Sequence, residues 1–95
     1  MSFRFTEAAS RDLEDIAFYG IAEFGLEQAQ NYHSRLMHSC HFLSENPLAA
    51  RLRTEVRPPV RAFPVKSHVI VYEIDDANNV LVIRVLHAND NWLDL

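Results

Sequence analysis

His38 and His41 stand three residues apart, a spacing that places both imidazoles on one side of a helix, close enough to share a metal ion. Zinc takes at least three protein ligands, and no carboxylate or third histidine stands at an obvious coordinating spacing from this pair. No metal centre is expected, nor any other cofactor. Cys40 falls on an apolar stripe with Leu36 and Leu43, which reads as a buried small hydrophobe rather than a nucleophile. Two glycines cannot build a phosphate loop or a dinucleotide fingerprint, and no G-x-S-x-G is present. The remaining chemistry is cationic. Arg51, Arg53, Arg57 and Arg61 read either as a soluble loop or as an anion-facing stripe for an acidic partner segment or a nucleic acid. Arg84 interrupts an otherwise apolar strand, where a charge must pair with an acid or contact a partner. Trp92 either pins the tail or anchors an interface.

Charge sorts these possibilities. Residues 1–46 carry seven acids and three bases, residues 47–66 five bases and one acid, and residues 67–95 five acids and one base. The result is one basic stripe in an acidic body of net charge −4. A protein devoted to gripping phosphates would be basic throughout. The acids of the first helix read as a solvated face.

The elements that must position these groups follow from periodicity. At 95 residues the chain is expected to form one domain, residues 1–95, with a single modest core. Phe3 and Phe5 alternate with Arg4 as a short strand. Thr6 is placed to cap a helix whose apolar stripe is Leu13, Ile16, Ala17, Gly20 and Phe24, ended by Gly25. A second helix runs from about Leu26 to Glu45, and Asn46-Pro47 ends it. The two helices should be antiparallel neighbours. Residues 47–58 read as a charged connector, stiffened by Pro58-Pro59. Val60, Ala62 and Val65 suggest a strand that Pro64 confines to an edge or bulge. Ser67–Ile74 and Asn79–His87 are strong strands around the turn Asp75-Asp76-Ala77-Asn78. The expected fold class is α+β: β-α-α-β-β-β, a helical hairpin on one face of a small, mainly antiparallel sheet. A lone cysteine, an N-terminus without signal-peptide character and the lack of a long apolar run make the cytoplasm the expected compartment, with no membrane contact.

The last two strands are apolar on both sides. With Ile74 opposite Val80, strict alternation puts His68, Ile70, Tyr72, Val80, Val82, Arg84 and Leu86 on one face and Val69, Val71, Leu81, Ile83, Val85 and His87 on the other. One hairpin covers one face, so the other should expose an apolar strip that a partner completes.

The order Ala9-x3-Leu13-x2-Ile16-x2-Tyr19, Phe24-Gly25-x2-Gln28-Ala29-x2-Tyr32-x3-Leu36, Asn46-Pro47, His68-Val69-Ile70-Val71-Tyr72 and Ile83-Arg84-Val85-Leu86-His87 resembles the ParE branch of the RelE/ParE toxin family over nearly the whole chain. The resemblance implies the same β-α-α-β-β-β fold and a toxin of a type II, plasmid-stabilisation-type toxin–antitoxin module. Such a toxin poisons DNA gyrase rather than acting as an enzyme. It implies a ParD-like antitoxin that binds through a flexible C-terminal segment and reaches DNA itself, so the toxin meets DNA only indirectly, within a hetero-oligomer. The residues that this implies for holding the antitoxin are Arg53, Arg57, Arg61, Ile70, Tyr72 and Val82; for the target, Arg84, His87, Trp92 and Leu93. The RelE branch supplies an alternative, ribosome-dependent mRNA cleavage, with Arg61, Lys66, Tyr72, Arg84 and His87 as its candidates. The acidic net charge speaks against it. A third reading is a non-toxic module that only binds its antitoxin, because Ala88-Asn89-Asp90-Asn91 stands where ParE-like chains often carry x-Arg-Met.

Overall fold

The structure is a computed structural model and describes residues 2–90. Seven elements follow in chain order: β1 (Phe3–Phe5), α1 (Glu7–Phe24), α2 (Leu26–Glu45), β2 (Leu52–Arg53), β3 (Val60–Val65), β4 (His68–Ile74) and β5 (Val80–His87). The strands form one sheet in the order β1-β5-β4-β3-β2, with β1 parallel to β5 and the other pairs antiparallel. This is the expected α+β hairpin-on-sheet arrangement with one addition, the two-residue strand β2. Pro64 sits beyond the reach of β2, which pairs only with Arg61 and Val60, so its missing N–H falls on an open edge.

Local chemistry sets the helix limits. The Thr6 hydroxyl accepts the Ala9 N–H at 3.0 Å and so caps α1. Gly25, at φ 89°, ends α1 and starts α2, a conformation that only glycine adopts without strain. The helices approach closely at Gly20, where a Cβ would lie 3.3 Å from the Ala29 Cβ.

The core beneath the hairpin joins Ala9, Leu36, Cys40 and Leu43 from the helices to Ile70, Tyr72, Val80, Val82 and Val85 from the sheet. Apart from Ala29, which faces Gly20, the buried residues of α2 lie in its second half. Residues 21–28, the end of α1 and the beginning of α2, are all exposed, so the tip of the hairpin overhangs the sheet.

Two expectations about the sheet faces are corrected. Alternation along β5 breaks at a bulge: Val71 pairs with Arg84 while Tyr72 pairs with Val82, leaving Ile83 as the extra residue. Beyond it the parity reverses, so Val85 joins the core beneath the helices and Leu86 joins Val69 and Val71 on the far side. Nor is that far side left bare. The connector is not a stiff extended linker; it bends after β2 and tucks Val56 against Val60, Val69, Val71 and Leu86, all of them buried. The chain thus shelters the apolar strip that was expected to need a partner.

Tyr72 holds the start of this connector. Fully buried, its hydroxyl donates to the Pro47 carbonyl at 2.8 Å and accepts the Ala50 N–H at 3.4 Å. Removing it in Tyr72→Phe unpairs a half-buried carbonyl and the buried Ala50 N–H and should destabilise the fold by about 1–2 kcal/mol, read as a lower urea midpoint at unchanged m.

Candidate functional site

Beneath the overhang lies an open groove of about 850 Å³, bounded by α1, the first half of α2, the β3–β4 turn and the ends of β4 and β5. Ile16, Gly20 and Ala29 form its helical side, with Tyr19 and Phe24 at the rim, their rings in edge contact at 6.3 Å. Val85 and Leu86 line it from β5.

Its polar groups are built in from distant parts of the chain. Asp12 of α1 accepts from Arg84 Nε at 2.7 Å and Nη2 at 3.0 Å, and from the Val85 N–H at 2.9 Å. Thr6 grips the same bulge, donating its hydroxyl to the Ile83 carbonyl at 2.7 Å and its N–H to the Val82 carbonyl at 3.0 Å. The bulge and the first half of α1 are thereby locked together. The bond to Asp12 raises Arg84 further above its already high value.

At the other end of the groove the Tyr32 hydroxyl meets His68 Nδ1 at 2.5 Å, and the His68 and His87 rings lie in edge contact at 5.4 Å. Burial, with His87 alongside, lowers His68 below its ordinary value, while Asp90 acts in the opposite sense. The unfolded chain therefore binds this proton more readily than the folded one. Stability is full at neutral pH and falls as pH drops through the ordinary histidine value toward the lowered folded one. A His68→Gln variant should show a flatter dependence of unfolding midpoint on pH between about 7 and 5 than the parent chain. Equal slopes would remove His68 from that role.

The residues singled out in the sequence divide. Lys66, Arg84 and His87 come together along the groove. Ile70, Tyr72 and Val82 are each 0% exposed in the core beneath the helices, so none is presented to an antitoxin or to RNA. Arg61 Nη1 donates to the Ala50 carbonyl at 2.7 Å, and Arg53 pairs with Glu55 at 3.3 Å, whereas Arg51 and Arg57 are exposed. The basic stripe is thus partly consumed in holding the connector, and of the five mRNA-cleavage candidates only Lys66, Arg84 and His87 share the groove. Trp92 and Leu93 lie outside the described residues. Cys40 is buried, and burial pushes its thiol up to about 11. His41 is exposed and stacks edge-on against Phe3 at 4.8 Å. Asp12, Tyr32 and His68 were not singled out for chemistry. Asp12 looked like one more solvated acid, and only its place one turn after Ala9, on the side facing β5, distinguishes it.

A mixed five-stranded sheet, covered on one side by an overhanging hairpin and on the other by its own connector, defines a small α+β domain with a large open groove beneath the hairpin tip. Its fold is that of a solved structure described as the chromosomal ParDE toxin–antitoxin system from P. aeruginosa, with a TM-score of 0.77 at 22% identity, covering 92% of this chain and 95% of that one. The family model for the ParE toxin of the type II toxin–antitoxin system parDE matches residues 3–92. Toxin ParE1 of Mycobacterium tuberculosis (strain H37Rv) is 33% identical over 89 residues, covering 92% of this chain and 91% of its own length. Toxin ParE1 of Caulobacter vibrioides is 32% identical, covering 94% and 91%. The chain belongs to the ParE toxin family of type II toxin–antitoxin systems.

Proposed function

We propose that this ParE-family chain inhibits DNA gyrase and that a ParD-like antitoxin neutralises it by seating an apolar segment in the groove beneath the hairpin. The observation that carries the antitoxin reading is that the groove stays open after the chain has covered both faces of its sheet. An apolar floor with a few converging polar groups suits a segment that folds on binding. Tyr19, Phe24, Tyr32, His68 and His87, which carry the resemblance to ParE chains, all line it. The gyrase reading rests on family membership, on the acidic body, and on the dispersal of the groups that mRNA cleavage would need. No helix among the described residues is long and apolar enough to cross a membrane, which suits action in the cytoplasm.

Expression without antitoxin should arrest growth with filamentation and induced DNA damage. Translation arrest with cut mRNA would instead favour the ribosome-dependent reading, and unimpaired growth the purely binding one. Gln28, exposed on the groove wall, offers a test of the seat. Gln28→Trp should fill the groove and weaken antitoxin binding by about tenfold or more in calorimetry, with folding unchanged. Parent-like affinity would place the antitoxin elsewhere.

A further inference from the structure

The tip of the hairpin has a second surface, turned away from the groove. Phe18 and Ile21 lie one turn apart on α1, and Leu26 opens α2. They are 69%, 43% and 58% exposed, and none lines the groove. Exposed large apolar groups gathered in one place mark interaction surfaces. Nothing in the fold asks for them here, because the overhanging half of the hairpin is held by the Gly20–Ala29 approach on its inner side.

Charge decides what such a surface can accept. From residue 14 to residue 34 the chain has Glu14, Asp15, Glu23 and Glu27 and no lysine or arginine. All four carboxylates are exposed, and none forms an ion pair among the described residues. We propose that this outer face docks a cationic amphipathic segment of another protein, its apolar side chains on Phe18, Ile21 and Leu26 and its lysines or arginines on Glu14, one turn from Phe18, and Glu27, next to Leu26. Nucleic acid and anionic bilayers would be repelled by the same four groups. A second copy of the chain would bring like charges together across the contact. The surface is separate from the groove and does not depend on what fills it.

The test uses the full chain, isotope-labelled for NMR, and a synthetic helical peptide of leucine and lysine as the probe. The expected result is binding that shifts the amides around Phe18, Ile21 and Leu26, weakens as salt is raised, and falls about tenfold or more in a Phe18→Ser/Ile21→Ser variant. A leucine–glutamate peptide and a serine–lysine peptide should both fail to bind, the first for charge and the second for lack of apolar contact. Circular dichroism of the variant should match the parent, since both substituted residues are exposed. Several results would overturn the assignment. Equal affinity in the variant, shifts centred on Tyr32 and His68, or equal binding of the serine–lysine peptide would each do so. So would a dimer in sedimentation that the variant abolishes, which would assign the face to a second copy, or binding to phosphatidylglycerol vesicles, which would assign it to lipid. Because the readout is binding by the isolated chain, it stands whether or not the chain arrests growth.

Discussion

Asp12→Ala is expected to lower the free energy of unfolding by about 3 kcal/mol. The carboxylate is the single acceptor for three donors, two on Arg84 and one on the Val85 backbone, and its side chain is only 13% exposed. Removing it strands a half-buried guanidinium and an N–H at the bulge, where the strand ladder offers no replacement. Charge-assisted bonds of this kind contribute more than neutral ones, and losing one partner is worse than losing both. Arg84→Ala should therefore cost less, about 1–2 kcal/mol, because Asp12 keeps the Val85 N–H and gains water. The double variant should fall short of the sum of the two single effects, which a double-mutant cycle in urea would reveal. Strict additivity would mean that the pair contributes nothing beyond its separate parts. Since Asp12 and Arg84 also line the groove, Asp12→Ala should loosen antitoxin binding as well. An unfolding midpoint unchanged alongside weakened binding would make the pair a contact rather than a structural clamp.

Leu43→Ala is expected to cost about 3–4 kcal/mol, whereas Phe18→Ala should stay within about 0.5 kcal/mol of the parent. Both are large apolar residues on the same hairpin, and composition alone does not separate them. Leu43 is fully buried between α2 and the sheet, so its truncation removes transfer energy and leaves a cavity lined by a packed core. Phe18 projects from the overhang into water and loses little on truncation. Thermal unfolding monitored by circular dichroism would show a large fall in midpoint for the first and none for the second. A comparable fall in both would mean that Phe18 packs against something in the folded chain, and it would remove the basis for assigning it to a partner.

The contrast marks where local pattern stops informing. The second helix is legible from the steps Ala29, Tyr32, Leu36, Cys40 and Leu43, and its limits, Leu26–Glu45, agree with the punctuation by Gly25 and Asn46-Pro47. Thr6 as a cap, the Asp75–Asn78 turn, and Ile74 opposite Val80 were equally readable, because each depends on neighbours within a few residues or on a turn that sets register. That Arg84 needs an acid was also readable, from the cost of a bare charge in an apolar strand.

Which acid it finds was not. Asp12 is 72 residues away in the chain, and nothing in its surroundings distinguishes it from Glu14 or Asp15 until α1 is laid along β5. The bulge at Ile83 was hidden for the same reason: it leaves no mark on an apolar run, yet it exchanges the faces of Val85 and Leu86. Val56 sits in a charged connector, and only the folded path brings it over Val71 and shelters the far face. Periodicity and punctuation act through bonds between near neighbours, so the residues themselves dictate the two helices, the longer strands, their order and the register set by the Asp75–Asn78 turn. The groove exists because the tip of the hairpin projects past the sheet, a relation between elements that appears only when they are packed together.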